Sequence, residues 1–223
     1  MLGIANDGEA PMKLIGMLDS PYVRRVAISF QLLGISFEHQ SLSVFRTFDQ
    51  FRKINPVVKA PSLVCDDGEV LMDSTLILEY GERIAPKGRS LMPQDRAPYQ
   101  HALHVIGVAL AATEKSVQIV YERNTRPPEK QHEPWIARVT TQVLGAYELL
   151  ESAIARKPLA ATGKTIDQAG ITTAITWEFT QKMIPDVVKA AKFPALGAYS
   201  AACEQLAEFK AAPHGDGTYR RKA

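Results

Sequence analysis

Between Lys13 and Leu42 the hydrophobic pattern changes period twice, and that alternation restricts the fold more than any other feature of the chain. Lys13-Leu14-Ile15-Gly16-Met17-Leu18 is a short, nearly continuous apolar run, which suits a buried central strand. Pro21 then marks a helix start, because its fixed φ and missing N–H suit the first helical position. Val23, Val26, Ala27, Phe30 and Leu33 share one helical face, and Gly34 is a natural stop after them. Ile35 to Leu42 reads as a second strand, so the segment is a strand-helix-strand unit.

A short helical piece is expected around Val44 to Ile54. Ala60-Pro61-Ser62-Leu63-Val64-Cys65 and Val70-Leu71-Met72 flank Asp66-Asp67-Gly68, a strong hairpin signal. Asp73-Ser74 then caps a helix carrying Leu76, Ile77 and Tyr80. The order β-α-β, helical connection, β-β-α is a thioredoxin layout. Ala85-Pro86-Lys87-Gly88-Arg89, with Pro93 and Pro98 after it, punctuates the chain as a linker. Beyond it only helical stripes are seen: Leu103, Ile106, Leu110, Val117 and Val120, then Trp135, Val139, Val143, Ala146, Leu150 and Ala153. Thr165-x-x-Gln168 is read as a capping box before Ile171, Ile175 and Phe179, and a last helix follows Phe193-Pro194. The expected architecture is an α/β thioredoxin-like N-terminal domain plus an all-α C-terminal helical domain. Its boundaries are an extension over 1–11, a first domain over 12–84, a linker over 85–97 and a helical domain over 98–223.

Composition removes several classes of function. A net charge of +2 on 223 residues supplies no global field that draws the chain to nucleic acid. Arg220-Arg221-Lys222 is read as a solvated terminus, and residues 1–11, with Asp7 and Glu9, as an extension without the apolar core of a secretory signal. No apolar run approaches the roughly 20 residues that a membrane span requires. The two cysteines, Cys65 and Cys203, stand in separate elements without a motif, so neither a disulfide framework nor a thiolate metal site is expected. A reducing cytoplasm fits that usage.

Three places in the first domain carry chemistry: Ser20-Pro21-Tyr22-Val23-Arg24-Arg25-Val26, Asn55-Pro56-Val57-Val58-Lys59-Ala60-Pro61, and Leu71-Met72-Asp73-Ser74. Ser before Pro is an ordinary N-cap pair, yet the same corner presents a hydroxyl and free N–H groups to an anion. A thiol, with a pKa of about 8.5, becomes a nucleophile once a donor stabilises its thiolate. Together the three motifs resemble the cytosolic glutathione transferase family, and Phe193-Pro194-Ala195-Leu196 resembles its last core helix, so the likeness runs from Met12 to about Ala211. It resembles the bacterial-type members with serine at the thiol position.

The resemblance implies that Ser20 meets the glutathione sulfur, with Tyr22 as the competing hydroxyl. It implies a cis Ala60-Pro61 bond whose Ala60 edge pairs with the cysteinyl backbone. Asp73 and Ser74 would anchor the γ-glutamyl end, and Lys59 would approach the glycyl carboxylate. Each has a plainer role open: capping for Ser20, Asp73 and Ser74, ring packing for Tyr22, a trans strand-start proline for Pro61, and a solvated lysine for Lys59. Val58 stands where the family often has glycine, Ala60 where valine is usual, and Gly170 where an aspartate is typical. In the helical domain Thr113, Ser116, Tyr121 and Arg123 are considered for an electrophile pocket; all but Tyr121 are read as ordinary helix surface or dimer contact. His101 and His104 lack a third ligand and are read as solvated. The implied partners are glutathione and a small hydrophobic electrophile, in a homodimer, with no metal or redox cofactor, nucleic acid or membrane. A glutathione-dependent isomerase or dehalogenase, or a non-catalytic binding protein of the same fold, stands as the alternative.

Overall fold

The computed structural model describes residues 11–219. The expected extension and the Arg220-Arg221-Lys222 tail lie largely outside them. The described chain forms two compact units: residues 11–90 together with 211–219, and Leu91–Lys210.

The first unit is the thioredoxin-like half. Strand β1 (Lys13–Ile15) feeds helix α1 (Pro21–Leu33), which Ser20 caps and Gly34 ends, and strand β2 (Glu38–Gln40) follows. Helix α2 (Phe48–Ile54) leads to strands β3 (Ser62–Val64) and β4 (Val70–Leu71), and helix α3 (Ser74–Ile84) closes the series. The sheet order is β2-β1-β3-β4, with β1 parallel to β2 and antiparallel to β3, and β3 antiparallel to β4. One side of the unit buries Val23, Val26, Phe30, Ile77 and Leu78, and another packs Ile15, Leu42 and Phe51 together. Ile15 pairs with Ser62, and Leu63 with Leu71. The exit of β1, the entry of β3 and the exit of β4 therefore lie at one end of the sheet. That end holds the three chemistry-bearing motifs.

The second unit is helical: α4 (Arg96–Thr125), α5 (Glu133–Arg156), α6 (Gln168–Met183), α7 (Pro194–Cys203) and the start of α8 (Ala207–Ala211). Helix α6 is buried along most of its length, and α4 and α7 pack against it. Tyr147, Trp177 and Phe193 form an aromatic core with ring centroids 5.5 to 6.0 Å apart. Helix α4 is long and apolar enough to cross a membrane by length and composition alone, although charged and polar residues interrupt its apolar sequence. Much of its apolar face, including Val105, Ala109, Ala112 and Ile119, is buried within this unit.

Two expectations are corrected here. The start of α6 is capped by Asp167, whose carboxylate accepts from the Gly170 N–H at 2.8 Å, and not by a Thr165-Gln168 capping box. Thr165 is instead turned to Thr162, with their hydroxyls 2.6 Å apart. Gly170 has a packing reason, since a Cβ there would collide with the Tyr199 hydroxyl. Thr113 and Ser116 are not helix surface: they are buried against α6, Thr113 bonded to Thr176 at 2.7 Å and Ser116 to Thr180 at 2.8 Å. The Tyr147 hydroxyl joins them by donating to Thr180 at 2.6 Å. A hydroxyl buried without partners costs about 1–3 kcal/mol, so this shared arrangement is what lets α6 carry Thr176 and Thr180 inward.

Candidate functional site

Gly16 sets the approach of the three motifs. Its φ is +134, and a Cβ there would lie 2.6 Å from a Val23 methyl and 3.0 Å from the Ala60 Cβ. Only glycine lets the end of β1 pass this close to α1 and to the segment before β3. From there the chain turns through residues 17–19 to Ser20, whose N–H donates to the Met17 carbonyl at 3.2 Å. Ser20 is half-buried, and its hydroxyl accepts from the Val23 N–H at a long 3.4 Å. The α1 N-terminus, with Pro21 supplying no N–H of its own, therefore faces the same side as the Ser20 hydroxyl. Asp19, just before it, has its carboxyl raised above the usual range, chiefly by burial and against the pull of His214 and the Ser20 N–H.

The second motif is a braced loop. Asn55, 4% exposed, donates through its side-chain amide to Ser62 Oγ at 2.8 Å and accepts from the Val57 N–H at 2.9 Å. Ser62 in turn donates to the Lys59 carbonyl at 2.8 Å. Val58 has a φ of 52, in the left-handed region, which explains why its position favours glycine. The Ala60–Pro61 peptide is cis. The Ala60 N–H and C=O enter none of the loop and turn hydrogen bonds among the described residues, which leaves that edge open to an extended backbone. The Lys59 side chain is exposed.

At the third motif Asp73 is the N-cap of α3, its carboxylate accepting from the Thr75 N–H at 2.7 Å. Ser74 is the first helical residue and is 2% exposed. Beneath it lies a residue that the sequence reading quoted but gave no role. Arg25, 3% exposed, donates from Nη1 to Thr75 Oγ1 at 3.1 Å and to Ser74 Oγ at 3.3 Å. Burial pushes its guanidinium pKa down to about 10, against the attraction of Asp73 and then Tyr22. A guanidinium can only donate, so Ser74 accepts from it and keeps its own proton for another acceptor. Positive charge, a committed hydroxyl donor and a helix N-terminus thus stack in one place, which is chemistry for an anion.

Of the site residues expected from sequence, Ser20, Tyr22, Lys59, Ala60, Pro61, Asp73 and Ser74 all lie in the first unit, and Ala60 lies against Gly16. Tyr121 lies on α4 of the second unit, 45% exposed. Arg123, on the same helix, is tied to Asp186 at 2.9 Å. Among the described residues no group of three or more His, Cys, Asp or Glu side chains could hold a metal.

Residues 14–89 match the family model for the glutathione S-transferase N-terminal domain. Glutathione S-transferase Z1 of Arabidopsis thaliana is 31% identical over 155 residues, covering 66% of this chain and 68% of that protein. Glutathione S-transferase U4 of the same plant is 35% identical over 95 residues, 43% of this chain, so the match spans only 41% of that relative's length. A glutathione transferase family member from Pseudomonas fluorescens Pf-5, solved with bound glutathione, superposes with a TM-score of 0.78 at 28% identity, over 90% of this chain and 98% of that one. The chain belongs to the glutathione S-transferase family.

Proposed function

We propose that the chain binds glutathione at the sheet end described above and transfers its sulfur to a small hydrophobic electrophile. The observation that carries this reading is the convergence of a helix-capping hydroxyl at Ser20, an open backbone edge at Ala60 and an anion seat at Ser74. These suit the thiol, the cysteinyl amide and the γ-glutamyl carboxylate of a tripeptide. The bound glutathione of the Pseudomonas fluorescens relative supports the same ligand.

In this reading Ser74, with Arg25 behind it, holds the glutamyl carboxylate, Asp73 faces the α-ammonium, and Lys59 approaches the glycyl carboxylate. The cis Ala60–Pro61 turn offers the Ala60 edge to the cysteinyl N–H and C=O. Ser20 donates to the sulfur, which lowers the thiol pKa and raises the thiolate fraction near neutrality. The thiolate then forms an S–C bond as the leaving group departs with its electron pair, or adds to an activated alkene with a proton taken up from water. Tyr22 is the alternative donor, and Tyr121 is proposed to border the electrophile. The protein acts as a homodimer in the cytoplasm, and no further cofactor enters the reaction. Isothermal titration calorimetry with glutathione, followed by conjugation of a chloronitrobenzene, tests the reading. Ser20→Ala is expected to lower kcat by about ten- to a hundredfold while leaving glutathione affinity within about twofold. Loss of turnover in Tyr22→Phe, with Ser20→Ala intact, transfers the role to Tyr22. Uptake of glutathione without conjugation points to the non-catalytic or isomerase alternatives, and no uptake at all sinks the reading.

A further inference from the structure

We propose that the C-terminal strap, residues 212–219, positions the Ser20 loop of the first unit and that the His39 imidazole is the latch that holds it. The catalytic consequence rests on the reading of Ser20 given above; the latch does not.

After α8 the chain returns across the first unit and is fastened along its length. Arg24 on α1, 1% exposed, donates from Nε to the Ala212 carbonyl at 2.7 Å. Ser41, just past β2, donates to the Asp216 carbonyl at 2.8 Å, and the Asp216 carboxylate lies 3.7 Å from Arg46. The Tyr219 ring stacks on Phe37 with centroids 4.7 Å apart and planes 17° apart. The last fastening is His39 on β2. Its Nδ1 accepts from the Tyr219 N–H at 2.9 Å, and its Nε2 lies 2.7 Å from the Gly16 carbonyl.

Gly16 opens the loop that ends at Ser20, so a single imidazole joins the far end of the strap to the near end of that loop. Its other end is engaged too. Asp19 interacts electrostatically with His214 and Asp216 of the strap and with Arg46, and Arg46 reaches back to Met17 Sδ at 3.4 Å. A loop held from both sides presents its hydroxyl in one place; a released loop spreads it over several.

The latch has a defined protonation state. Accepting at Nδ1 while donating from Nε2 requires the neutral imidazole with its hydrogen on Nε2. A second proton would set an N–H on Nδ1 against the Tyr219 N–H, donor against donor. Burial holds the His39 pKa below its ordinary value, with the Gly16 bond opposing, so the neutral form is the one the fold favours. The ionisable groups on the elements around His39 are Lys13 on β1, Glu38 on β2, Asp19 in the loop, Arg46 after β2, and His214, Asp216 and Tyr219 on the strap. Both ring nitrogens are taken by backbone groups and not by any of these.

Two substitutions in the full chain separate the halves of the latch. In His39→Gln the side-chain amide keeps a donor for Gly16 but loses the acceptor for Tyr219. In His39→Asn a carbonyl oxygen stands near the Nδ1 position and keeps the acceptor. Hydrogen exchange of the strap peptide, read by mass spectrometry at one fixed pH, is expected to rise about tenfold in His39→Gln. With it kcat for chloronitrobenzene conjugation should fall by up to about tenfold, with KM for glutathione within about twofold. His39→Asn, which keeps the Tyr219 bond and gives up the Gly16 bond, should restore the protection of the strap. A loosened strap with unchanged kcat overturns the positioning role; an unloosened strap in His39→Gln, or loosening in His39→Asn, overturns the latch. If the wild-type chain takes up no glutathione, the transferase reading fails and the loop's catalytic role fails with it, while the exchange measurement still decides the latch.

Discussion

Arg25 is one of two buried arginines on α1, and a guanidinium taken out of water is costly unless its donors are used. It donates to two hydroxyls at the start of α3, and its charge lies near Asp73. The arrangement turns Ser74 from a hydroxyl that can give or take a proton into one that gives. Lysine at this position keeps the charge but loses the planar fork. Arg25→Lys is therefore expected to weaken glutathione binding by about tenfold, or ~1.4 kcal/mol, with kcat on saturated enzyme within about twofold, measured by calorimetry and steady-state kinetics. Ser20 and Asp73 were legible in the sequence because capping is local: each is read from residues two or three places on. Arg25 was not, since its partners are 49 and 50 residues away. The available signal was an arginine pair set among Val23, Val26 and Ala27 on a helix with an inward face.

At the scale of elements, the hydrophobic period reported burial more faithfully than hydrogen bonding. The expected second strand ran from Ile35 to Leu42, and Ile35, Phe37 and Leu42 are all buried, yet only Glu38–Gln40 joins the ladder. The flanking residues are held by packing. The same limit hid the strap, whose residues carry no period and whose contacts to β2 span about 180 positions. Its pH dependence follows from His39. A histidine held below its ordinary pKa stabilises the fold fully above about pH 6.5, the unfolded value, and that contribution is lost as pH falls towards and through the folded value. Urea midpoints measured from pH 7.5 to pH 5 should fall less steeply in His39→Asn than in the wild-type chain; parallel slopes would contradict the assignment. For α6, Gly170→Asp, the residue usual in the family, places a side chain where the Tyr199 hydroxyl lies, and is expected to cost about 1–3 kcal/mol in chemical denaturation.

For the whole molecule, the two-part architecture was legible because the change from alternating to purely helical pattern occurs once, near Pro86 to Pro98. The return of residues 211–219 to the first unit was not, since chain order says nothing about where a terminus packs. Binding should register globally as well. Glutathione at about a hundred times its dissociation constant adds about 2.7 kcal/mol to the native state, and so should raise the melting temperature by about 5–10 °C in a chain of this size. Sedimentation equilibrium, with and without glutathione, reads the proposed homodimer directly. The central claim is that Ser20 stabilises a glutathione thiolate at the sheet end, and titrating the ultraviolet absorbance of bound thiolate against pH tests it most directly. In the wild-type complex the thiol should titrate at least about one unit below its free value of about 8.5, and in Ser20→Ala it should return towards that value. A bound thiol that titrates identically in the two proteins would contradict the account.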